Sequence, residues 1–333
     1  MMKHHRGPRR VRLDIVGPFA YDRAINTNHG RVDTMALDFE KVAAGFGVSE
    51  GPVWDGQALL FSAIPSSRIM RFDPKTGACS VYKTDTNQAN GLRLDAEGRI
   101  YACERRGRRV TRYERDGART VLADRFEGRR LCSPNDIAID ALGRVWFSDP
   151  RYEPPSPIFG EPLGPKELDH QSVFRLDPAA GGGYTLKRMT FDTTKPNGLL
   201  ISADDKVLYV AQSDYAEDAL RQLRAYPVKR DGTLGQQVVL HDFGPHRGID
   251  GMTLDSAGNI VATAGSFKSG PGPMIYVFAP DGTVLEAHPF PDEEPTNCTF
   301  GGDDLQTLYV TTIGGSLCRA RCQRSGIVVA GIR

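Results

Sequence analysis

Cysteine is scarce in this 333-residue chain, and its six copies, Cys79, Cys103, Cys132, Cys298, Cys318 and Cys322, carry no paired metal spacing. Cys318 and Cys322 form a lone CxxxC with no second pair, which argues against a structural zinc site. Four of the six fall in or beside predicted strands, where cysteine behaves as a small hydrophobe. A reducing cytoplasm suits such thiols better than a disulfide framework would. No stretch approaches the roughly 20 apolar residues of a membrane span. Net charge is also missing: 42 basic residues against 41 acidic ones leave +1. No global field therefore draws the chain to nucleic acid or to an anionic membrane, and a small-molecule substrate is the expected partner. A nucleophile elbow is absent, since GSFKSG at Gly265 has the wrong frame for G-x-S-x-G, and there is no phosphate-cradling GxxxxGK. Of the seven histidines only His246 is placed to approach a site, so a histidine dyad is disfavoured.

What the chain does have is a repeat. An acidic or amide residue, a hydrophobic strand, a tight turn and a second hydrophobic strand recur from Glu50, Asn90, Asn135, Asn197, Asp250 and Asn297. The starts are 40, 45, 62, 53 and 47 residues apart, the period of a propeller blade with insertions in the third and fourth units. The 36 glycines and 40% hydrophobic content fit a turn-rich all-β protein with a large core. The expected fold is a six-bladed β-propeller of four-stranded antiparallel blades over residues 37–333. Residues 1–36 read as a polar leader; Asp14 and Pro18 break its apolar stretch too early for a secretory signal. Ring closure has two candidates for the outermost strand of the sixth blade, Leu37 to Phe46 and the GIVVA segment near the C-terminus.

Antiparallel alternation tells which residues share a face. Asp95 to Gly98, Asp140 to Gly143 and Asp255 to Gly258 are turns after the first strand, so these aspartates read as turn residues on the lower face. The upper face then collects the six leading residues and the second-strand ends, among them Glu104 to Arg106 and Asp149 to Tyr152. Residues 151–172, rich in Pro and Gly, form the longest connection there and read as a lid or substrate wall. One Glu, one Asp and four Asn converging on one axis are oxygen donors with a net charge near −2. Such a set suits a hard divalent cation, Ca²⁺ first, with Mg²⁺, Mn²⁺ or Zn²⁺ as alternatives. Unpaired burial of Glu50 and Asp250 would be costly, so a cation or a Lys or Arg partner is implied.

SEGPVW at Ser49, SPND at Ser133, PNG at Pro196 and IDGM at Ile249, in this order and within this repeat, resemble the regucalcin/gluconolactonase family, which also includes diisopropyl fluorophosphatase. The likeness runs from about residue 38 to 315. It implies a six-bladed propeller with a divalent metal at one mouth, held by Glu50, Asn135, Asn197 and Asp250. It places Asn90 near the substrate. The run ANGLRLDAEGRIYACERRGRRVTRY resembles the bacterial gluconolactonases, with Glu104 and Arg105 after the second strand. Ala63 departs from the pattern, standing where relatives commonly carry Asp. The implied activity is metal-dependent hydrolysis of a sugar lactone such as a gluconolactone. Asp250 is expected to orient or deprotonate water, or to attack directly, with Asn90, Glu104, Arg105 and Tyr152 positioning substrate. Two other readings share the fold: a phosphotriester or fluorophosphate hydrolase, and a non-catalytic scaffold stapled by metal. A cytoplasmic monomer or weak homo-oligomer is expected.

Overall fold

The inner strands of this chain are apolar on both faces, and the architecture explains why. In the computed structural model, which describes residues 36–152, 159–160 and 162–327, six four-stranded antiparallel sheets follow one another along the chain. The polar leader up to residue 35 lies outside the described residues, as does part of the long connection and of the GIVVA segment. The first blade comprises β2 (Ser49–Trp54), β3 (Leu59–Ala63), β4 (Arg68–Asp73) and β5 (Ala78–Lys83). The second comprises β6 (Ala89–Leu94), β7 (Ile100–Glu104), β8 (Arg109–Tyr113) and β9 (Arg119–Ala123). A small hairpin, β10 (Arg125–Phe126) and β11 (Arg129–Arg130), precedes the third blade: β12 (Ile137–Ile139), β13 (Val145–Ser148), β14 (Val173–Pro178) and β15 (Tyr184–Arg188). The fourth is β16 (Pro196–Ile201), β17 (Val207–Ser213), β18 (Arg221–Pro227) and β19 (Val238–Asp242). The fifth is β20 (Ile249–Leu254), β21 (Ile260–Ser266), β22 (Ser269–Phe278) and β23 (Val284–Pro289). The sixth combines β24 (Pro295–Gly301), β25 (Thr307–Thr312) and β26 (Leu317–Arg321) with β1 (Glu40–Ala43).

Each blade is covered by its two neighbours near the axis and exposed at the rim. All five residues of β3, LLFSA, are buried, whereas the outermost β5, ACSVYK, is largely exposed. Strands buried on both faces read as continuous hydrophobic runs rather than as alternation. The core lies between blades: Val53, Leu60 and Ile69 of the first pack on Leu92, Leu94 and Ile100 of the second. Trp146 of the third packs with Leu199 and Val210 of the fourth. The predicted Asp turns form as expected. Asp95 accepts the backbone N–H of Arg99 at 2.9 Å, and Gly98 supplies the positive φ of 71° that closes the turn.

Closure resolves in favour of the N-terminal candidate. Strand β1 pairs antiparallel with β26, Glu40 opposite Arg319 and Lys41 opposite Cys318. Phe46 then packs edge-on against Phe61 of the first blade with ring centroids 5.0 Å apart. Blade six is thereby built from both ends of the described chain, and its loss would expose the edge of β26. Deletion through Ala43 is expected to lower Tm by about 10 °C or more, or to leave the protein insoluble, as read by thermal melting of the truncated chain. Among the described residues no helix is long and apolar enough to cross a membrane.

Candidate active site

The six repeat positions meet as a closed ring of contacts. The N–H of Gly91 donates to the carbonyl of Asn135 at 2.7 Å. Ser62 donates to the carbonyl of Asn90 at 2.7 Å, and a Cβ on Gly51 would meet that same carbonyl oxygen at 2.4 Å. The N–H of Leu199 donates to Asp136 at 3.2 Å, tying the fourth blade to the third. A Cβ on Gly198 would lie 2.3 Å from the carbonyl of Asp250, and one on Gly251 would run into the carboxamide of Asn297. Asn297 closes the circle by donating through Nδ2 to Oε2 of Glu50 at 3.1 Å. Only glycine allows backbones to approach this closely, which is why a glycine follows the leading residue in four of the six copies.

A backbone device accompanies this ring. The pairing of first and second strands shifts register between Glu50 and Val53, Ala89 and Leu92, Pro196 and Leu199, Ile249 and Met252, and Pro295 and Asn297. A bulge at the same height in five blades bends the strand start and re-aims its side chain. In the third blade β12 begins only at Ile137, leaving Asn135 and Asp136 ahead of the ladder.

Electrostatically the ring is acidic. Glu50 is buried, its Oε2 accepts the N–H of Gly51 at 2.7 Å, and its Oε1 takes no hydrogen bond among the described residues. Burial, then the charges of Asp250 and Asp136, push its pKa well above the usual carboxylate range. Burial also raises Asp250 to about 6, against the pull of Arg247. Asp136 is raised to about 7 by burial, opposed by the N–H groups of Ile137 and Leu199 and by Arg93. Arg247 donates through Nη2 to Oδ2 of Asp250 at 2.8 Å. Its guanidinium stacks 4.5 Å from the Tyr215 ring and also bonds the hydroxyl of Ser213.

These observations bear on a cation. Two buried carboxylates, Glu50 and Asp136, and the partly buried Asp250 repel one another, with Arg247 as the close ion-pair partner of Asp250 among the described residues. The amide oxygen of Asn90 is buried without any hydrogen bond, and Asn135 makes none through its side chain among the described residues. Among the described residues no three His, Cys, Asp or Glu side chains gather tightly enough to hold an ion by themselves. A cation here therefore needs amide oxygens beside the carboxylates, which is the donor set this ring presents. Hard oxygen donors with two or three carboxylates fit a hard divalent ion.

The eight residues singled out from sequence are not all at the mouth. Glu50, Asn135, Asn197 and Asp250 lie on the ring, together with Asn90. Tyr152 reaches it by an unforeseen route: Asn197 donates through Nδ2 to the Tyr152 oxygen at 2.8 Å, and the Tyr152 hydroxyl donates to the carbonyl of Ser213 at 3.2 Å. Tyr152 thus fixes which way the Asn197 carboxamide points. Glu104 is a correction. It is fully buried within the second blade, accepting from Arg109 Nε at 2.5 Å and from the Tyr113 hydroxyl at 2.6 Å, so neither oxygen is offered to a substrate. Its place at a strand end located the backbone but not the side chain, which turns onto the blade face. Arg105 stays at the upper face, bonding Gln88 at 2.8 Å under the Phe159 ring of the long connection.

Sequence reasoning missed Asp136 and Arg247. Asp136 occupies the position that is glycine in the first, second, fourth and fifth copies, and that replacement was the signal available. Arg247 was passed over for its neighbour His246, which is exposed in the structure. Below the ring a cavity of about 1360 Å³ runs to the opposite face, lined by Arg93, Asp136 and Asn297 and rimmed by the Asp95 and Asp140 turns. The carboxylate pair Glu50 and Asp250 does not line it.

A family model described as the SMP-30/Gluconolactonase/LRE-like region matches residues 48–314. A gluconolactonase of Zymomonas mobilis is 30% identical over 301 residues, 83% of this chain and 79% of its own. A pentonolactonase of Haloferax volcanii is 31% identical over 278 residues, 80% of this chain and 82% of its own. Among solved structures, a gluconolactonase of Xanthomonas campestris superposes with a TM-score of 0.74 at 32% identity, over 86% of this chain and 90% of that one. With the six blades, the ordered motifs and a family match spanning all but the leader, the closing strand and the C-terminal end, this chain belongs to the SMP-30/gluconolactonase/LRE-like family.

Proposed function

We propose that the protein is a divalent-metal-dependent lactonase that opens a sugar lactone of the gluconolactone type. The observation that carries this reading is the mutually repelling pair of carboxylates, buried Glu50 and partly buried Asp250, set on a ring with the buried, unbonded amide oxygen of Asn90. The relatives named as gluconolactonase and pentonolactonase support the substrate class. Glu50, Asn135, Asn197 and Asp250 would hold the ion, with Ca²⁺ as the first candidate. When bound, the ion supplies a Lewis acid at the carbonyl oxygen of the ester.

The remaining work falls to the chain's own side chains. Asp250 takes the proton of the attacking water or attacks the ester carbon itself. Arg247, by donating to Oδ2, favours the ionised form of Asp250. Tyr152 holds the Asn197 carboxamide in one orientation, and Ser213 braces both Tyr152 and Arg247. The test is a panel of aldonolactones and organophosphates assayed before and after chelation. Lactone hydrolysis that disappears on chelation and returns with Ca²⁺ or Mn²⁺ supports the reading. Activity confined to phosphotriesters, or lactonase activity untouched by chelation, overturns it.

A further inference from the structure

A guanidinium can orient a carboxylate only if its own plane is held, and buried Arg247 takes its partners from three blades. Within its own blade Nη2 donates to Oδ2 of Asp250 at 2.8 Å. Toward the fourth blade Nη1 donates to the Ser213 hydroxyl, and the Tyr215 ring centre lies 4.5 Å from the central carbon of the guanidinium. Toward the sixth blade Nε stands 4.0 Å from Oε2 of Glu294. Glu294 precedes Asn297 by three residues, as Arg247 precedes Asp250, so the two occupy the same place ahead of the repeat in neighbouring blades. Both backbones are tied down. The N–H of Arg247 donates to the Ser269 hydroxyl at 2.9 Å and its carbonyl accepts from Gly265 at 3.1 Å, while the Glu294 carbonyl accepts from Ile313 at 3.0 Å.

Two hydrogen bonds at the Nη atoms leave the guanidinium able to rock about the line that joins them. An aromatic ring against it and a carboxylate at its third nitrogen remove that freedom. Neither Tyr215 nor Glu294 is needed to fill the core: Tyr215 is half-exposed, and Glu294 is only partly buried at the same upper face. Tyr215 also meets Tyr152 edge-on at 5.3 Å, and the Tyr152 oxygen accepts from Asn197. The same ring therefore stands beside the supports of both Asp250 and Asn197.

We propose that Glu294 and Tyr215 are positioning residues: together they hold the Arg247 guanidinium in the one plane that presents Nη2 to Asp250, and so fix the carboxylate at the reacting centre. This rests on the lactonase reading for the part Asp250 plays, but the clamp itself is tested without catalysis. Exchange of the Arg247 Nε proton with solvent is followed by nuclear magnetic resonance on the whole chain, its signal identified by its loss in Arg247→Lys. Glu294→Gln and Tyr215→Leu are each expected to speed that exchange about tenfold or more, because a held, buried proton exchanges only when its site opens. The kcat on a gluconolactone is expected to fall as well, about threefold in Glu294→Gln, the size of a partly exposed ion pair, and about tenfold in Tyr215→Leu, the size of a desolvated cation–π contact. KM is expected to stay within about twofold of the wild type, since the clamp touches no substrate. Tyr215→Phe keeps the ring and is expected to recover most of the lost rate, and Glu294→Gln leaves the Tyr152 support untouched, which separates the two routes open to Tyr215. Melting curves report whether each variant is folded; if Tyr215→Leu is not, the isosteric Glu294→Gln carries the test alone. On a chain that hydrolyses lactones, faster exchange without a lower kcat, a lower kcat without faster exchange, or a rise in KM in place of the fall in kcat overturns the proposal. Faster exchange in the variants with no lactone turned over by the wild type would count against the lactonase reading alone.

Discussion

Asp250→Asn is expected to lower kcat/KM on a sugar lactone by about 10²–10⁴-fold, the usual contribution of a positioned general base. Asparagine keeps the volume and can still accept from Arg247 through its oxygen, so the buried guanidinium is not left stranded as it would be after Asp250→Ala. The fall in rate would then report the lost carboxylate rather than a collapsed site. A single turnover in H₂¹⁸O separates the two roles open to Asp250. Label appearing in its carboxylate identifies a nucleophile, and label found only in the product identifies a base. Lactonase activity within about threefold of the wild type would remove Asp250 from the chemistry, since one hydrogen-bonding group rarely accounts for less than that.

Glu50→Gln is expected to move stability and activity in opposite directions. Without a cation, burial first and then the charges of Asp250 and Asp136 raise the pKa of Glu50 well above normal. Glutamine can retain the two hydrogen bonds that Gly51 and Asn297 donate to Oε2, while removing the repelled charge. Melting of the chelated variant should therefore show a gain of about 1–2 kcal/mol over the chelated wild type. The same variant should lose the stabilisation that added divalent ion gives the wild type, and with it the lactonase activity. A chelated variant less stable than chelated wild type would mean that Glu50 serves the fold and not an ion. Strain or surplus charge that lowers stability is the usual mark of a site maintained for function.

The fold could be read from the chain because each blade repeats one physical solution. Two strands covered on both faces give apolar runs such as LLFSA, and Asp and Gly at fixed places give the turns between them. The ring could be read for the same reason, since a leading acid or amide followed by glycine recurs at one point of the repeat. Side-chain direction could not. Whether a strand-end residue faces the mouth depends on the bulges at Glu50, Ala89, Pro196, Ile249 and Pro295, and a shift of one residue turns a side chain to the other face. Glu104, taken for a mouth residue, is on the wrong side of that alternation. Asp136 escaped notice because it acts on the N–H of Leu199 in the next blade, and Arg247 because it acts on Asp250 from three residues ahead, outside the repeated segment. The closing strand stayed open between two segments because pairing with β26 is a contact across the whole length of the chain.

The central claim is that this acidic, amide-lined ring exists to hold one divalent ion for ester hydrolysis. Elemental analysis of the wild type, Glu50→Gln and Asp250→Asn, each equilibrated with Ca²⁺ and desalted, tests it most directly. The account predicts one tightly held ion per wild-type chain, a loss of that ion in Glu50→Gln, and lactonase activity that tracks ion content across chelation and reloading. A wild-type chain that hydrolyses lactones at full rate with no bound divalent ion would contradict it.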